Sequence, residues 1–205
     1  MATATTVFVT GANTGLGLNI VKALYRSEAV YHVLLGAQFD QQASQGNMTV
    51  RDMWNQSWNV NVTGTYILTG SLAPLLCKSA KPRLLFITSG TSTLAEHGNL
   101  ALAINRSPEK GWPKQEFAVS AYRSAKTGMN MMFLEWVRIL KEDGVKVFAV
   151  SPGMLATGLG GNPELMKKMG ALDPNVGAEL VRDVIDGRRD EDAGKVVRKD
   201  NIQLW

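Results

Sequence analysis

Thr6-Val7-Phe8-Val9-Thr10-Gly11-Ala12-Asn13-Thr14-Gly15-Leu16-Gly17 is the stretch on which the fold turns. Residues 6–10 are β-branched or aromatic and read as a short buried strand, ended by Gly11. Residues 18–27 continue as a helix. A strand, a glycine-rich turn and a helix in succession build a phosphate site. The glycines let the backbone approach a pyrophosphate, and the helix start offers free N–H groups and the positive end of its dipole. The spacing is Gly-x-x-x-Gly-x-Gly rather than the Gly-x-Gly-x-x-Gly of the general dinucleotide fingerprint.

Downstream, residues 30–35 form a second strand candidate ending at Gly36, and the polar stretch 37–48 reads as a loop. Thr49 is placed as the N-cap of a long helix from residue 50 to about 78, with Asp52 in its first turn to suit the dipole. Pro74 is expected to kink this helix or end it early. Residues 83–88 are an apolar run, expected to be buried on both faces of a parallel sheet. Residues 93–116 make a long connection. A second long helix runs from Ser120 to about residue 142. Ala125, Met129, Met132, Phe133, Trp136, Val137 and Leu140 give it a core stripe, which Met131 and Leu134 widen enough for a partner-helix surface. Residues 145–150 are the next strand, ending in Ser151-Pro152-Gly153. Gly158, Gly160 and Gly161 suit a substrate lid. A short helix follows Pro163, Asp173-Pro174 caps another over 174–187, and residues 195–198 are a final strand.

The chain's 205 residues, 45% hydrophobic and 20% charged, suit one globular domain over 1–205. The net charge is +4, but the basic residues are scattered. Arg188-Arg189 runs straight into Asp190-Glu191-Asp192 and reads as a solvated turn, so no nucleic-acid partner is expected. Cys77 is the single cysteine, which excludes an intrachain disulfide and a zinc cluster. No signal peptide and no membrane span are expected, which leaves the cytoplasm as the default location.

Chemistry concentrates in Ser120-Ala121-Tyr122-Arg123-Ser124-Ala125-Lys126. Four residues apart on a helix, Tyr122 and Lys126 share a face, about 6 Å apart along the axis. A fixed ammonium favours the phenolate, which otherwise forms only near pH ~10, and eases proton exchange. The plain alternative is a core tyrosine beside a snorkelling surface lysine. Ser89 ends the 83–88 strand, where ligands of parallel sheets sit, or it belongs to an ordinary polar turn. Asn61 is a poor helix former in mid-helix or simply a surface asparagine. Glu96 and His97 lie in a loop with no third partner for acid–base work.

Taken together and in order, these pieces resemble the short-chain dehydrogenase/reductase family, most closely its carbonyl-reductase-like members. The matching residues are Thr10 to Gly17, Asn61-Val62-Thr63-Gly64, Ser89, Tyr122-x-x-x-Lys126, and Pro152-Gly153 with Thr157. The resemblance implies an α/β fold with a Rossmann-like, doubly wound parallel sheet. It implies an NAD(P)(H)-dependent oxidoreductase that interconverts a carbonyl and an alcohol. By the same resemblance Tyr122 is the general acid/base and Lys126 lowers its pKa and holds the nicotinamide ribose. Ser89 bonds the substrate carbonyl, and Asn61 anchors a water-mediated proton relay. Gly11, Asn13, Thr14, Gly15, Leu16, Gly17, Pro152, Gly153 and Thr157 would line the cofactor, together with Tyr122 and Lys126. The expected cofactor is NADP, with NAD as the alternative, and the expected assembly is a homodimer or homotetramer.

One departure stands out. Between the second strand and the Asn61 helix the family carries a helix, a strand, a helix and a strand ending in Asn-Asn-Ala-Gly. Here only residues 36–48 join the two, as if by internal deletion. Gly36 either ends the second strand or stands for the last glycine of that motif. Right-handed crossover puts residues 30–35 in the second-strand slot, so that the slot beside the Ser89 strand is empty or the sheet closes up; if residues 30–35 instead move into that slot, the adenosine half of the cofactor loses its wall. A catalytic set intact in sequence would then face an impaired cofactor cleft. The alternative is a weakly active or inactive relative that serves as a dimerisation partner.

Overall fold

The computed structural model describes residues 7–9, 15–25, 31–32, 48–114, 119–160 and 162–205. The elements run β1 (Val7–Phe8), α1 (Gly15–Tyr25), β2 (Tyr31–His32), α2 (Val50–Trp58), a π-helical turn (Asn59–Thr63), α3 (Gly64–Leu76) and β3 (Arg83–Ile87). Then come α4 (Ser120–Ile139), β4 (Lys146–Val150), α5 (Pro163–Lys168), α6 (Pro174–Ile185), β5 (Val196–Val197) and β6 (Ile202–Gln203). Short 3-10 turns lie at Gly90–Ser92 and Ala103–Asn105.

β4 divides two cores because its side chains alternate between faces. Phe148 and Val150 pack with Ile20 and Leu24 of α1, with Ala178, Val181 and Val184 of α6, and with Val197. Val147 and Ala149 pack with Phe86 and with Met129, Met132, Phe133 and Trp136 of α4. Helices on both faces of a parallel sheet are the doubly wound α/β arrangement the sequence implies. β3, β4 and β5 are parallel neighbours, and β6 adds an antiparallel edge. The sequence reading ran one strand over 195–198 and missed β6.

β2 pairs in parallel with β1, Val7 opposite Tyr31 and Phe8 opposite His32, as the crossover rule requires. Among the described residues this pair forms a sheet separate from β3–β6, and β3 pairs with β4 alone. β3 is less buried than expected: only Phe86 is buried and its other residues are half-buried.

The long helix also differs from expectation. Thr49 caps it, its Oγ1 accepting from the Asp52 N–H at 3.1 Å and donating to the Asp52 carboxylate at 2.6 Å. Pro74 lies inside α3, which ends two residues later at Leu76. The break lies upstream at Asn59–Thr63, where the Gly64 N–H reaches back to the Asn59 carbonyl. A Cβ at Gly64 would sit 2.9 Å from that oxygen, so the π turn needs a glycine at its exit. The turn expected to be solvated at 188–192 is an ion-pair cluster. Asp190 pairs with Arg83 and Lys146, and buried Asp192 pairs with Arg189 and Lys195.

Candidate active site

Tyr122 and Lys126 occupy the first turns of α4. The Lys126 Nζ lies 5.8 Å from the centroid of the Tyr122 ring, so the two share one face. Burial of the ammonium lowers the Lys126 pKa from 10.5 to about 8, because a charge withdrawn from water is disfavoured. Its hydrogen bond goes to the Ile87 carbonyl at 2.8 Å. The Thr88 N–H donates to the Val150 carbonyl at 2.8 Å, and peptide groups of successive strand residues face opposite neighbours. The Ile87 carbonyl therefore points away from β4, toward the edge of β3 that has no described strand. Lys126 satisfies this carbonyl from α4.

Asn61 sits in the π turn and is 5% exposed, not a surface residue. Its Nδ2 donates to the Ser57 carbonyl at 2.8 Å. The turn is pressed against α4 by Trp58, whose ring fills the space over Gly128. A Cβ there would lie 2.5 Å from the indole. Ser89 leads into the Gly90–Ser92 turn. Its Oγ accepts from the Thr91 N–H at 3.2 Å and lies 2.9 Å from the Thr91 hydroxyl. That turn too is fastened to α4: Arg123 Nε donates to the Thr91 carbonyl and Thr127 Oγ1 to the Ser92 carbonyl, each at 3.0 Å. Below it, Thr88, Ser92 and Asn130 close a buried hydrogen-bonded triangle. α4 thus gathers the Asn61 turn, the Ser89 turn and the Tyr122–Lys126 pair onto one helix.

The residues expected around a cofactor also converge. Gly15 opens α1 with φ +55°, and a Cβ on it would meet Thr157 at 3.4 Å. Leu16 and Pro152 both close on Gly177 of α6, where a Cβ would lie 3.1 Å and 3.0 Å from their side chains. Gly17 is buried at the start of α1, and Gly153 turns the chain with φ +86°. Gly11, Asn13 and Thr14 lie outside the described residues.

No protein-family model matches the chain. Individual relatives do. It is 36% identical over 267 aligned positions to the short-chain dehydrogenase/reductase eupG of a Phoma species, with 96% of each chain covered. It is 36% identical over 252 positions to the short-chain dehydrogenase/reductase tropE of Talaromyces stipitatus, with 95% of each covered. The chain belongs to the short-chain dehydrogenase/reductase family. Among solved structures of the family's fold, NADPH-bound carbonyl reductase from chicken fatty liver superposes with a TM-score of 0.74 at 16% identity, covering 98% of this chain and 99% of that one. Carbonyl reductase Sniffer of D. melanogaster gives 0.68 at 16% identity, covering 99% and 100%.

The aligned length of 267 exceeds the 205 residues of this chain, so that family relative carries segments this chain lacks. Sequence reasoning missed Arg123, Thr127, Asn130 and Gln203, which hold the site together without belonging to a family motif. Arg123, directly after Tyr122, was the one with a signal to read: a cation in the first turn of a helix opposes the dipole and so requires another partner.

Proposed function

We propose that this family oxidoreductase interconverts a carbonyl and an alcohol with a nicotinamide dinucleotide, preferring NADP(H) over NAD(H), and that residues 1–205 form one NAD(P)-binding domain. The observation that carries the proposal is the convergence on α4 of Tyr122, Lys126, the Asn61 turn and the Ser89 turn. The described residues fit the pyrophosphate and nicotinamide end of such a cofactor. Gly15 has the positive φ of a tight phosphate turn at a helix start, and Thr157 closes against it. Gly15, Leu16, Gly17, Pro152, Gly153 and Thr157 would hold the group, which when bound supplies or accepts a hydride.

The Tyr122 hydroxyl gives its proton to the forming alkoxide in reduction and takes it back in oxidation. Lys126, as an ammonium, favours the phenolate and eases both transfers. The Ser89 hydroxyl donates to the carbonyl oxygen as charge grows there. Asn61, held at the π turn, anchors the water that returns protons toward Lys126. For this, Lys126 must leave the Ile87 carbonyl, and that exchange, with the missing segment, weakens cofactor affinity. The substrate is a small molecule of carbonyl or alcohol type, and nucleic acid is not a partner. No described helix is long and apolar enough to cross a membrane, and a cytoplasmic location suits the reading.

A second reading has its own observation. Ile67 and Leu75, which share a side of α3, are 62% and 64% exposed, an apolar surface suited to pairing with a second copy as a homodimer or homotetramer. A weakly active or inactive chain would still dimerise there. Titrating NADPH and NADH against tryptophan fluorescence, then assaying a generic diketone with Tyr122→Phe as control, separates the two. Binding with turnover that falls about 10²- to 10⁴-fold in Tyr122→Phe supports the enzyme. Absence of both, with concentration-dependent dimerisation, sinks it and leaves the second reading.

A further inference from the structure

The C-terminal hairpin reaches the Ser89 turn through a chain of side chains that the proposed mechanism does not use. Gln203 of β6 is 2% exposed, and its Nε2 donates to the Ser89 carbonyl at 3.2 Å. Its Oε1 accepts from Arg198 Nε at 3.0 Å. Because a guanidinium only donates, that contact fixes which end of the amide faces Ser89. The Arg198 Nη1 and Nη2 then fork onto Glu96 at 2.9 and 2.8 Å. Such planar two-point pairing is rigid as well as strong. The Arg198 hydrogen bond, its largest cause, holds the Glu96 carboxyl below the usual carboxylate range. A Cβ at Gly90 would lie 3.9 Å from Arg198 Nη2, so the turn rests against the guanidinium. The chain end adds a backbone bond, the Ala95 N–H donating to the Trp205 carbonyl at 2.6 Å.

We propose that Gln203 and Arg198 are positioning residues for Ser89. Gln203, held by Arg198, bonds the Ser89 carbonyl from the sheet side, beside the bonds of 2.6 and 3.1 Å that this carbonyl accepts from the Ser92 hydroxyl and N–H within the turn. Arg123 and Thr127 hold the following residues from α4, so the hydroxyl is fixed between two grips. Glu96 lies just beyond this turn, in the long connection, and couples that connection to the same lock. The inference rests on the proposed role of Ser89, and its test separates the two. Gln203→Glu keeps an acceptor for Arg198 but replaces the donor facing the Ser89 carbonyl with a second acceptor. The hairpin link survives and the Ser89 link does not.

In the full chain, Gln203→Glu is expected to lower kcat on the diketone by about 10- to 100-fold while KM for the dinucleotide changes less than about twofold. Gln203→Asn, which keeps the amide but is one methylene shorter, should fall between. Hydrogen exchange at residues 90–92 should quicken several-fold with no change at β4. An unchanged kcat, or unchanged protection at 90–92, in folded Gln203→Glu overturns the proposal. If the wild-type chain turns over no substrate, the proposed function fails while exchange at 90–92 still decides the lock. If Gln203→Glu does not fold, Glu96→Gln takes its place. It loses the charge on the fork, and the same quickening, smaller, is expected at 90–92; no quickening there overturns the proposal.

Discussion

At the scale of single residues, Lys126 carries the most information. Its ammonium bonds the Ile87 carbonyl, and burial pushes its pKa down from 10.5 to about 8. Between those values the unfolded chain holds a proton that the folded chain has released. The group's contribution to stability therefore rises as pH climbs from about 8 to 10.5, and below 8 the desolvation penalty is fully present. Denaturant unfolding on either side of this window should show wild type gaining stability relative to Lys126→Met, and side-chain NMR should find one lysine titrating near 8. A Lys126 titrating with the bulk of the lysines would refute the burial argument. The same residue explains why a helical Tyr-x-x-x-Lys spacing could be read two ways. Spacing fixes the shared face, whereas the surroundings of Nζ decide between a snorkelling cation and a desolvated one.

Among the elements, the π turn between α2 and α3 decides where Asn61 points. It depends on two glycines. Gly64 clears the Asn59 carbonyl, and Gly128 on α4 receives the Trp58 ring. Gly128→Ala should push Trp58 off α4, shift its fluorescence and cost about 1–3 kcal/mol through overpacking. Gly64→Ala should pull the turn toward regular α-helix, rotate Asn61 and lower turnover more than stability. Circular dichroism melts with kcat for both variants check this, and an unaltered Trp58 environment in Gly128→Ala would contradict it. Asn61, a poor helix former in mid-helix, was the legible sign of the helix break, but a π turn needs a cleared carbonyl that residue type alone does not reveal.

At the scale of the whole molecule, the described residues form two sheets, β1–β2 and β3–β6, where the family fold implies one, and β3 is half-buried apart from Phe86. Grafting between β2 and α2 the helix–strand–helix–strand segment that the family resemblance implies should give β3 a second strand neighbour, bury it and free Lys126 from the Ile87 carbonyl. NADPH affinity is expected to rise at least about tenfold, or 1.4 kcal/mol, in a fluorescence titration; an unchanged affinity would show that the gap does not limit the site. The sequence by itself determined the family, the order of the motifs, the caps at Thr49 and Asp173, and the α/β class. The caps and each motif are local patterns, carried by residues within a turn or two of one another, and the order of the motifs follows from the chain itself. Only the tertiary structure decided that Lys126 meets the Ile87 carbonyl, that Trp58 sets the Asn61 turn against α4, and that Gln203 bonds the Ser89 carbonyl. These contacts join residues far apart in the chain, and burial, carbonyl direction and donor geometry exist only once the elements are packed together.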